Sequence, residues 1–246
     1  MRQKPSKGSY SKQVSSSLSV HVSAEGLPAS LAHSKLLEGI LPHDRELIAG
    51  VAERRNILGD VIIRGGERAA HLFLLKSGRA KYYKLTKTGQ ELLLWWLSPG
   101  DVFGLATLLR DPPDYIGSAE AIKPCELLVW KHSAIQELLI RYPQLSQNAL
   151  RITLRYLSSY ADRHAAIITE TAEQRLAHTL IRLANKGGHP HSTDVEVEIT
   201  NEQLGQLADV GLFTATRFLS AWGRNGAITK KRGKVLIQAP EKLPVD

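Results

Sequence analysis

The segment that decides the fold is ITNEQLGQLADVGLFTATRFLSAWGRNGAI, which spans residues 199–228. Thr200 is placed as the N-cap of a predicted helix over Asn201–Ala208, and Gln203 at the third helical position completes a capping box. After a break of three residues, apolar periodicity predicts a second helix over Leu212–Gly223. Two helices joined by so short a turn form a helix-turn-helix unit.

The flanking residues extend this unit to a winged helix-turn-helix. Downstream, the stretches Ala227–Arg232 and Lys234–Gln238 predict a hairpin whose tip is basic, with Lys230, Lys231 and Arg232. Upstream, Val195–Ile199 alternates apolar and acidic residues, which predicts a short edge strand. An amphipathic helix over Ala172–Asn185 precedes it and is expected to stop at Gly187–Gly188.

The positive charge of the chain is concentrated at its two ends. The chain has 246 residues and carries 32 Lys and Arg against 24 Asp and Glu, a net charge of +8. Its N-terminus is rich in Lys, Arg and Ser without an acid, so we expect residues 1–25 to form a disordered basic tail. The C-terminal block is a candidate surface for a polyanion, although a basic solvated face is the plainer alternative.

The middle of the chain, from Asn56 to Trp130, has the pattern of a β domain. Short apolar runs alternate with turn residues, and they predict a sandwich or barrel-like roll. The expected strands are Val61–Ile63, His71–Leu75, Ala80–Leu85, Glu91–Leu97 and Cys125–Trp130, with a reversal at Ser77–Gly78 between the second and third. Helical segments over Leu36–Ala52 and Ser133–Tyr142 flank this domain.

A long helix is predicted over Gln144–Thr169. It carries a heptad seam made of Leu150, Leu154, Leu157, Ala161, His164 and Ile168. Such a seam is typical of a parallel two-stranded dimer. Burial of the seam against the chain's own β domain is the alternative.

These blocks together resemble the cyclic-AMP receptor protein and fumarate–nitrate reductase regulator (Crp–Fnr) family. The resemblance is carried by HLFLLKSGRAKYY (His71–Tyr83), by TGQELLLWWLSPGDVFGL (Thr88–Leu105) and by the helix-turn-helix segment. It implies an α+β protein with an N-terminal double-stranded β-helix, the cyclic-nucleotide-binding-like roll, a long dimerisation helix and a C-terminal winged helix-turn-helix. The implied domains are residues 26–143, 144–169 and 170–246.

The family resemblance implies a homodimeric transcriptional regulator that binds double-stranded DNA at a two-fold palindromic site, with RNA polymerase as a further partner. The expected DNA-binding residues are Thr200, Gln203, Leu212, Phe213, Thr214, Thr216 and Arg217 with the wing residues Lys230, Lys231 and Arg232. Arg217 matches an Arg of the family and can bind guanine in the major groove. Phe213 stands where relatives have a Glu, so we expect a different DNA site.

The signal that this β domain senses is not identified by the sequence. The expected effector pocket is formed by Gly104, Leu105, Ala106, Tyr115, Ile116, Gly117 and Ser118. Nucleotide-binding members have a Glu in the first stretch and an Arg in the second, and both are absent here, so cyclic AMP is an unlikely effector. An effector-independent regulator of the same family is the alternative.

Composition excludes several other classes. The single cysteine, Cys125, excludes a disulfide framework and the N-terminal iron–sulfur cluster of the oxygen-sensing branch. No cofactor and no metal site are predicted, and no motif of an enzyme is present. The chain has no apolar run long enough for a membrane span and no secretory signal, so we expect a cytoplasmic protein without a membrane partner.

Overall fold

The structure, a computed structural model, describes residues 34–186 and 195–245. The predicted disordered tail and the predicted helix stop at Gly187–Gly188 lie outside these residues. The described chain contains a β-roll, a long helix and a C-terminal unit of helices with a small sheet. This order confirms the predicted α+β architecture.

The β-roll is built on one antiparallel sheet. Its strands are β1 (Glu53–Ile57), β2 (Val61–Ile63), β3 (His71–Leu85), β4 (Glu91–Leu97), β5 (Val102–Phe103) and β6 (Ser118–Lys131). The order is β1-β6-β3-β4, with β2 paired to β6 and β5 paired to β3. The long strands β3 and β6 therefore form the centre on which the other strands pair.

Strand β3 corrects one prediction. Ser77–Gly78 was expected to reverse the chain, but β3 runs through it, with irregular pairing to β6 between Leu75 and Ala80. Gly78 has a φ of +95°, and a Cβ there would lie 2.1 Å from the Pro124 carbonyl oxygen. The glycine therefore serves a bulge with close strand approach and not a turn.

The segment before the roll corrects a second prediction. The expected helix over Leu36–Ala52 is divided into a 3₁₀ turn at Lys35–Leu37 and helix α1 at Pro42–Gly50. Gly39, with a φ of +76°, separates the two parts. Strand β1 was missed because its residues, ERRNI, are polar and lie mostly exposed at the sheet edge.

Two helices follow the roll, α2 (His132–Arg141) and α3 (Gln144–Thr169). Helix α3 has the predicted bounds. Its first turns pack on the roll with Leu145, Ala149 and Ile152 buried. The buried Asn148 donates to the carbonyls of Leu36 and Glu38, at 2.8 Å each, and so ties α3 to the 3₁₀ turn.

The C-terminal unit is a winged helix-turn-helix, as predicted. Its helices are α4 (Ala172–Lys186), α5 (Asn201–Leu207) and α6 (Leu212–Arg224). Strands β7 (Val195–Val197), β8 (Ile228–Lys231) and β9 (Lys234–Ile237) form a sheet in the order β7-β9-β8. Trp222, Leu219 and Leu204 lie in its core.

The β-roll and the C-terminal unit are in contact. Leu93 of β4 is buried in the core of the C-terminal unit, and Trp96 packs against that core. The Arg79 guanidinium lies 4.9 Å from the Trp96 ring centre and donates to the Glu198 carbonyl at 3.0 Å. Within the described residues, no helix is both long enough and apolar enough to cross a membrane.

Candidate nucleic-acid interface and effector pocket

Helix α6 has one buried and one exposed face. Ala215 and Leu219 are fully buried and pack inward. Phe213 is 92% exposed, and Leu212 and Arg217 are exposed as well. Of the side chains that the sequence assigned to DNA, Leu212, Phe213 and Arg217 therefore lie on the outer face, where the helix can enter a groove.

The capping box at the start of α5 is present. The Thr200 hydroxyl accepts from the Gln203 amide at 3.2 Å, and the Gln203 side-chain oxygen accepts from the Thr200 amide at 2.9 Å. Both residues were predicted to bind DNA. In this structure their acceptor atoms are used by the cap, so their first role is to fix the beginning of α5.

Thr216 is turned toward α5. Its hydroxyl accepts a hydrogen bond from the side-chain Nδ2 of Asn201 at 3.2 Å. Thr214 and Thr216 are both half-buried. Asn201 was missed by the sequence analysis, because a contact between two helices leaves no local signal.

The turn between α5 and α6 is close-packed. A Cβ on Gly205 would lie 2.6 Å from the Val210 carbonyl oxygen, so α5 needs glycine at this point. Asp209 has a φ of +53°, a conformation that Asp tolerates better than most residues. The Arg175 guanidinium of α4 donates to the carbonyls of Ala208 at 3.1 Å and Asp209 at 3.2 Å, which holds the turn against α4.

Arg217 is available to a ligand. Its guanidinium lies 5.1 Å from the ring centre of Phe218, and no carboxylate among the described residues pairs with it. Phe218 in turn stacks on Trp222 at 6.5 Å. The guanidinium of the exposed Arg217 thus lies over an aromatic ring that is itself supported by the buried Trp222.

The wing is the hairpin of β8 and β9, with its turn at Arg232–Gly233. Lys230, Lys231 and Arg232 are exposed, as expected for phosphate contacts. Glu196 of β7 lies beside the wing, 3.7 Å from the Lys231 ammonium. It also accepts from Lys234, and this bond holds the pKa of the Glu196 carboxyl below its usual value. The positive charge of the wing is therefore partly compensated near Lys231.

Of the predicted pocket residues, Gly104 and Tyr115 lie against each other in the roll, and the polar side chains of Tyr115 and Ser118 are used within the chain. The Tyr115 hydroxyl donates to the His71 carbonyl at 2.8 Å and accepts from its amide at 2.9 Å. The Ser118 hydroxyl accepts from the Gly65 amide, and the Gly117 amide donates to the Tyr82 hydroxyl at 3.0 Å. Gly104 is buried, Leu105 and Ala106 are half-buried, and Ile116 lies on the surface.

An aromatic stack links the roll to α3. The Trp95 ring lies between Tyr82 of β3, at 4.6 Å and 12°, and Tyr156 of α3, at 4.4 Å and 7°. Tyr160 of α3 meets Trp95 edge-on at 5.8 Å. Burial raises the pKa of the Tyr156 hydroxyl. Trp95 and Trp96 thus face opposite sides of β4, with Trp95 against the long helix and Trp96 against the core of the C-terminal unit.

Trp95 also has an unpaired polar atom. Its indole N–H is buried, and it has no hydrogen-bond acceptor among the described residues. A buried donor without a partner is costly. The indole N–H of the neighbouring Trp96 is likewise buried without an acceptor among the described residues, and of these two donors the one of Trp95 belongs to the stack.

The seam of α3 is not buried against the chain itself. Leu150, Leu154 and Leu157 are exposed, the last by 63%, and Ile168 is 71% exposed. Ala161 and His164 are exposed too. Of the two alternatives, burial against the β domain is wrong. An exposed apolar stripe of this kind is typical of a surface that contacts another protein element.

Two family models match the chain. One, described as a cyclic nucleotide-binding domain, matches residues 58–142, and the other, a Crp-like helix-turn-helix domain, matches residues 174–244.

Residues 34–186 and 195–245 contain no group of three His, Cys, Asp or Glu side chains that could hold a metal ion.

Curated relatives match over most of their length. The cyclic AMP receptor protein of Thermus thermophilus is 28% identical over 207 residues, which cover 83% of this chain and 93% of that protein. The anaerobic regulatory protein of Bacillus subtilis is 25% identical over 202 residues, which cover 80% of this chain and 85% of that protein. The second of these relatives is a regulatory protein by name.

Solved structures share the fold. The regulator CLP of Xanthomonas campestris, described as responsive to c-di-GMP, aligns with a TM-score of 0.67 at 18% identity and covers 78% of this chain and 97% of that chain. FixK2 from Bradyrhizobium japonicum aligns with a TM-score of 0.67 at 21% identity and covers 78% of this chain and 96% of that chain. These alignments confirm the predicted fold class.

Proposed function

Because this chain belongs to the Crp–Fnr family of transcriptional regulators, we infer that it is a homodimer that reads a two-fold palindromic DNA site with α6. The observation that carries this proposal is the division of α6 into a buried face and an outer face with a free Arg217. A guanidinium can bind guanine O6 and N7 together, which gives sequence discrimination. We propose no catalytic activity.

The dimer is supported by the exposed seam of α3. Parallel pairing of two α3 helices would bury Leu150, Leu154 and Leu157 on both chains, and it would place the two α6 helices on one side of the molecule. The two half-sites would then lie about one helical turn apart, about 34 Å along the DNA.

The test of the dimer is the mass of the protein in solution. We expect light scattering to give twice the chain mass of 27.2 kDa. Leu157→Glu places a charge in the seam and should yield monomers. Ser159→Glu is the matched control, because Ser159 is exposed two residues further along α3 and points away from the seam. A wild-type monomer at micromolar concentration, or a dimeric Leu157→Glu variant, would contradict the proposal.

The DNA-binding part has its own test. Fluorescence anisotropy with a labelled duplex should show binding that weakens as salt rises, because Lys and Arg contacts to phosphate release counterions. The Leu157→Glu monomer should bind a full site far less tightly than the wild type, since only one α6 is engaged at a time.

Regulation by RNA polymerase contact is proposed from the family membership. A bound dimer would change the rate at which polymerase starts at a neighbouring promoter. In vitro transcription from a template with and without the selected site tests this, and equal transcript yields in the presence of bound protein would contradict it.

The roll is proposed to sense an unidentified signal. The buried, unpaired N–H of Trp95 supports this, because an effector with a hydrogen-bond acceptor would find a partner there. Cyclic AMP fits the roll poorly. Leu105 and Ala106 provide no carboxylate for the ribose, and the Gly117 amide already donates to Tyr82.

A second candidate is an effector-independent regulator, and the aromatic stack favours it. Tyr82, Trp95 and Tyr156 fill the space between the roll and α3 with the chain's own rings. The contact that an effector would make between these two elements is therefore already made. DNA selection by protein freed of small molecules separates the two candidates.

A further inference from the structure

The turn of the helix-turn-helix is held from outside its own domain. The Arg163 guanidinium of α3 donates from Nη2 to both carboxylate oxygens of Asp209, at 3.2 and 3.0 Å. Its Nη1 donates to the Leu94 carbonyl of β4 at 3.2 Å. One side chain thus connects the long helix, the β-roll and the turn that precedes α6.

This ion pair is more buried than the ion pair of Lys123 and Glu198, which joins the β-roll to the C-terminal unit. The side chains of Arg163 and Asp209 are 14% and 27% exposed. Lys123 and Glu198, which pair at 3.0 Å across the same boundary, are 57% and 51% exposed. Exposed ion pairs are screened by water and salt and contribute little. Arg163 is therefore the charged group that best fixes the position of the turn.

The backbone conformation of Asp209 also supports a role for its side chain in holding the turn to α3. With a φ of +53°, this position would suit glycine, which adopts such a conformation without strain. Asp209 adopts it while presenting its carboxylate to Arg163. Arg175 holds the same turn independently through the Ala208 and Asp209 carbonyls. Loss of the Arg163 contact should therefore leave the turn formed but free it from α3.

Arg163 also lies on the correct side of α3. It follows Ala161 of the seam by two residues, a rotation of about 200° around the helix axis. The seam therefore faces the partner helix while Arg163 faces the chain's own DNA-binding unit. In a dimer, the distance between the two α6 helices depends on how rigidly each unit is held to its α3.

We propose that Arg163, through Asp209, is a positioning residue that sets the half-site spacing the dimer accepts. This inference rests on the proposed function, because spacing has meaning only for a dimer that binds two half-sites. The pair makes no contact with bases, so its loss should broaden the range of accepted spacings without changing which bases each α6 reads.

The experiment measures affinity as a function of spacing. Duplexes carry two inverted copies of the selected half-site with the spacer shortened or lengthened by single base pairs. For the wild type, we expect affinity to fall by about 100-fold away from the best spacer, because both halves can no longer be bound together. For Arg163→Met and for Asp209→Gly, we expect a fall of less than about tenfold over the same series.

The controls separate positioning from loss of structure. Arg155→Met is matched, because Arg155 lies on α3 and its one ion pair among the described residues, at 4.0 Å, is with Glu38 of the roll. It should keep the sharp wild-type profile. Affinity for a single half-site should be unchanged in all variants. If Arg163→Met fails to fold, Asp209→Gly still decides, since glycine suits the turn.

Several outcomes would overturn the inference. If both Arg163→Met and Asp209→Gly keep the spacing profile of the wild type, the ion pair of Arg163 and Asp209 does not set the half-site spacing. A wild-type affinity that does not depend on spacing would also overturn the inference. These results leave the proposed function intact. Failure of the wild type to bind duplexes of any spacing would overturn the proposed function, and the inference with it.

Discussion

At the scale of single residues, DNA reading depends on the side chains that α6 leaves outside its core. Arg217 presents a fork that can bind guanine, whereas Phe213 has no acceptor for a cytosine amino group. Phe213 can instead contact a thymine methyl group, and its 92% exposure leaves it free to do so. We expect the wing lysines to contribute charge without reading bases.

Arg217→Ala should remove sequence discrimination. We expect the ratio of affinities for the selected site and a random duplex to fall by about 5- to 150-fold, because one bidentate contact is worth about 1–3 kcal/mol. The slope of affinity against salt should change little. Lys231→Ala is the contrast: it should weaken binding to all duplexes alike and reduce the salt slope by about one. Full discrimination in Arg217→Ala would mean that α6 is not the reading helix.

His178 should make stability depend on pH. Its Nδ1 lies 2.9 Å from the Glu170 carboxylate, and this bond raises the pKa of the imidazole, against burial and the charge of Arg182. A raised pKa stabilises the fold fully below the unfolded value of about 6.5, and this contribution is lost as pH rises through the folded-state pKa.

The measurement is urea unfolding of wild type and His178→Gln at about pH 5.5 and 8.5, on either side of the unfolded pKa. At the lower pH we expect the free energy of unfolding of the wild type to exceed that of His178→Gln by up to about 1 kcal/mol, which is the limit for an ion pair this exposed. At the higher pH the difference should be smaller. A larger advantage at the higher pH would contradict the account.

At the scale of elements, the C-terminal unit could be predicted from the sequence and the roll only in outline. The helices α5 and α6 are fixed by local signals, the Thr200 cap and an apolar period of 3.6 residues, so their bounds came out within one residue. In the roll, the bulge at Gly78 has the composition of a turn, and β1 has the composition of a loop. Only pairing with β6 makes both of them strands.

The contacts of the site were less predictable than its elements. Arg163 and Asp209 are 46 residues apart in sequence, and Trp95 and Tyr156 belong to separate elements. Neither contact has a local signature. The sequence places Trp95 and Trp96 on opposite faces of one strand, but it does not indicate that Trp95 would stack between two tyrosine rings.

The stack of Tyr82, Trp95 and Tyr156 between the roll and α3 can be tested by removing its central ring. Trp95→Ala should leave a cavity between the roll and α3, cost about 3–5 kcal/mol of stability, and lower DNA affinity by about 5- to 150-fold if the stack couples the two elements. Indole added at millimolar concentration should refill the cavity and restore binding, because apolar cavities bind ligands of matching shape. Anisotropy titrations with and without indole measure this.

The control is the wild type, whose DNA affinity indole should not change because its stack is complete. Wild-type affinity in Trp95→Ala without indole would contradict a role for the stack in coupling. Restored melting temperature without restored DNA binding would assign Trp95 to stability alone.

At the scale of the whole molecule, two interfaces determine where the α6 helices lie. One is the exposed seam of α3, which is proposed to join two chains. The other joins the roll to the DNA-binding unit through Leu93, Trp96 and the hydrogen bonds of Arg163 to Leu94 and Asp209. In this arrangement the outer face of α6 stays exposed.

The central claim is sequence-specific DNA binding by a dimer, and selection from a random duplex pool at moderate salt tests it most directly. The protein is first unfolded and refolded to remove bound small molecules. The effector-independent mode predicts an enriched palindrome at once, whereas salt-sensitive binding without enrichment would favour the sensor mode. Both modes predict a two-fold palindrome with a guanine in each half-site. In the sensor mode this palindrome should be enriched only when the effector is present. Absence of any binding, even at low salt, would contradict it.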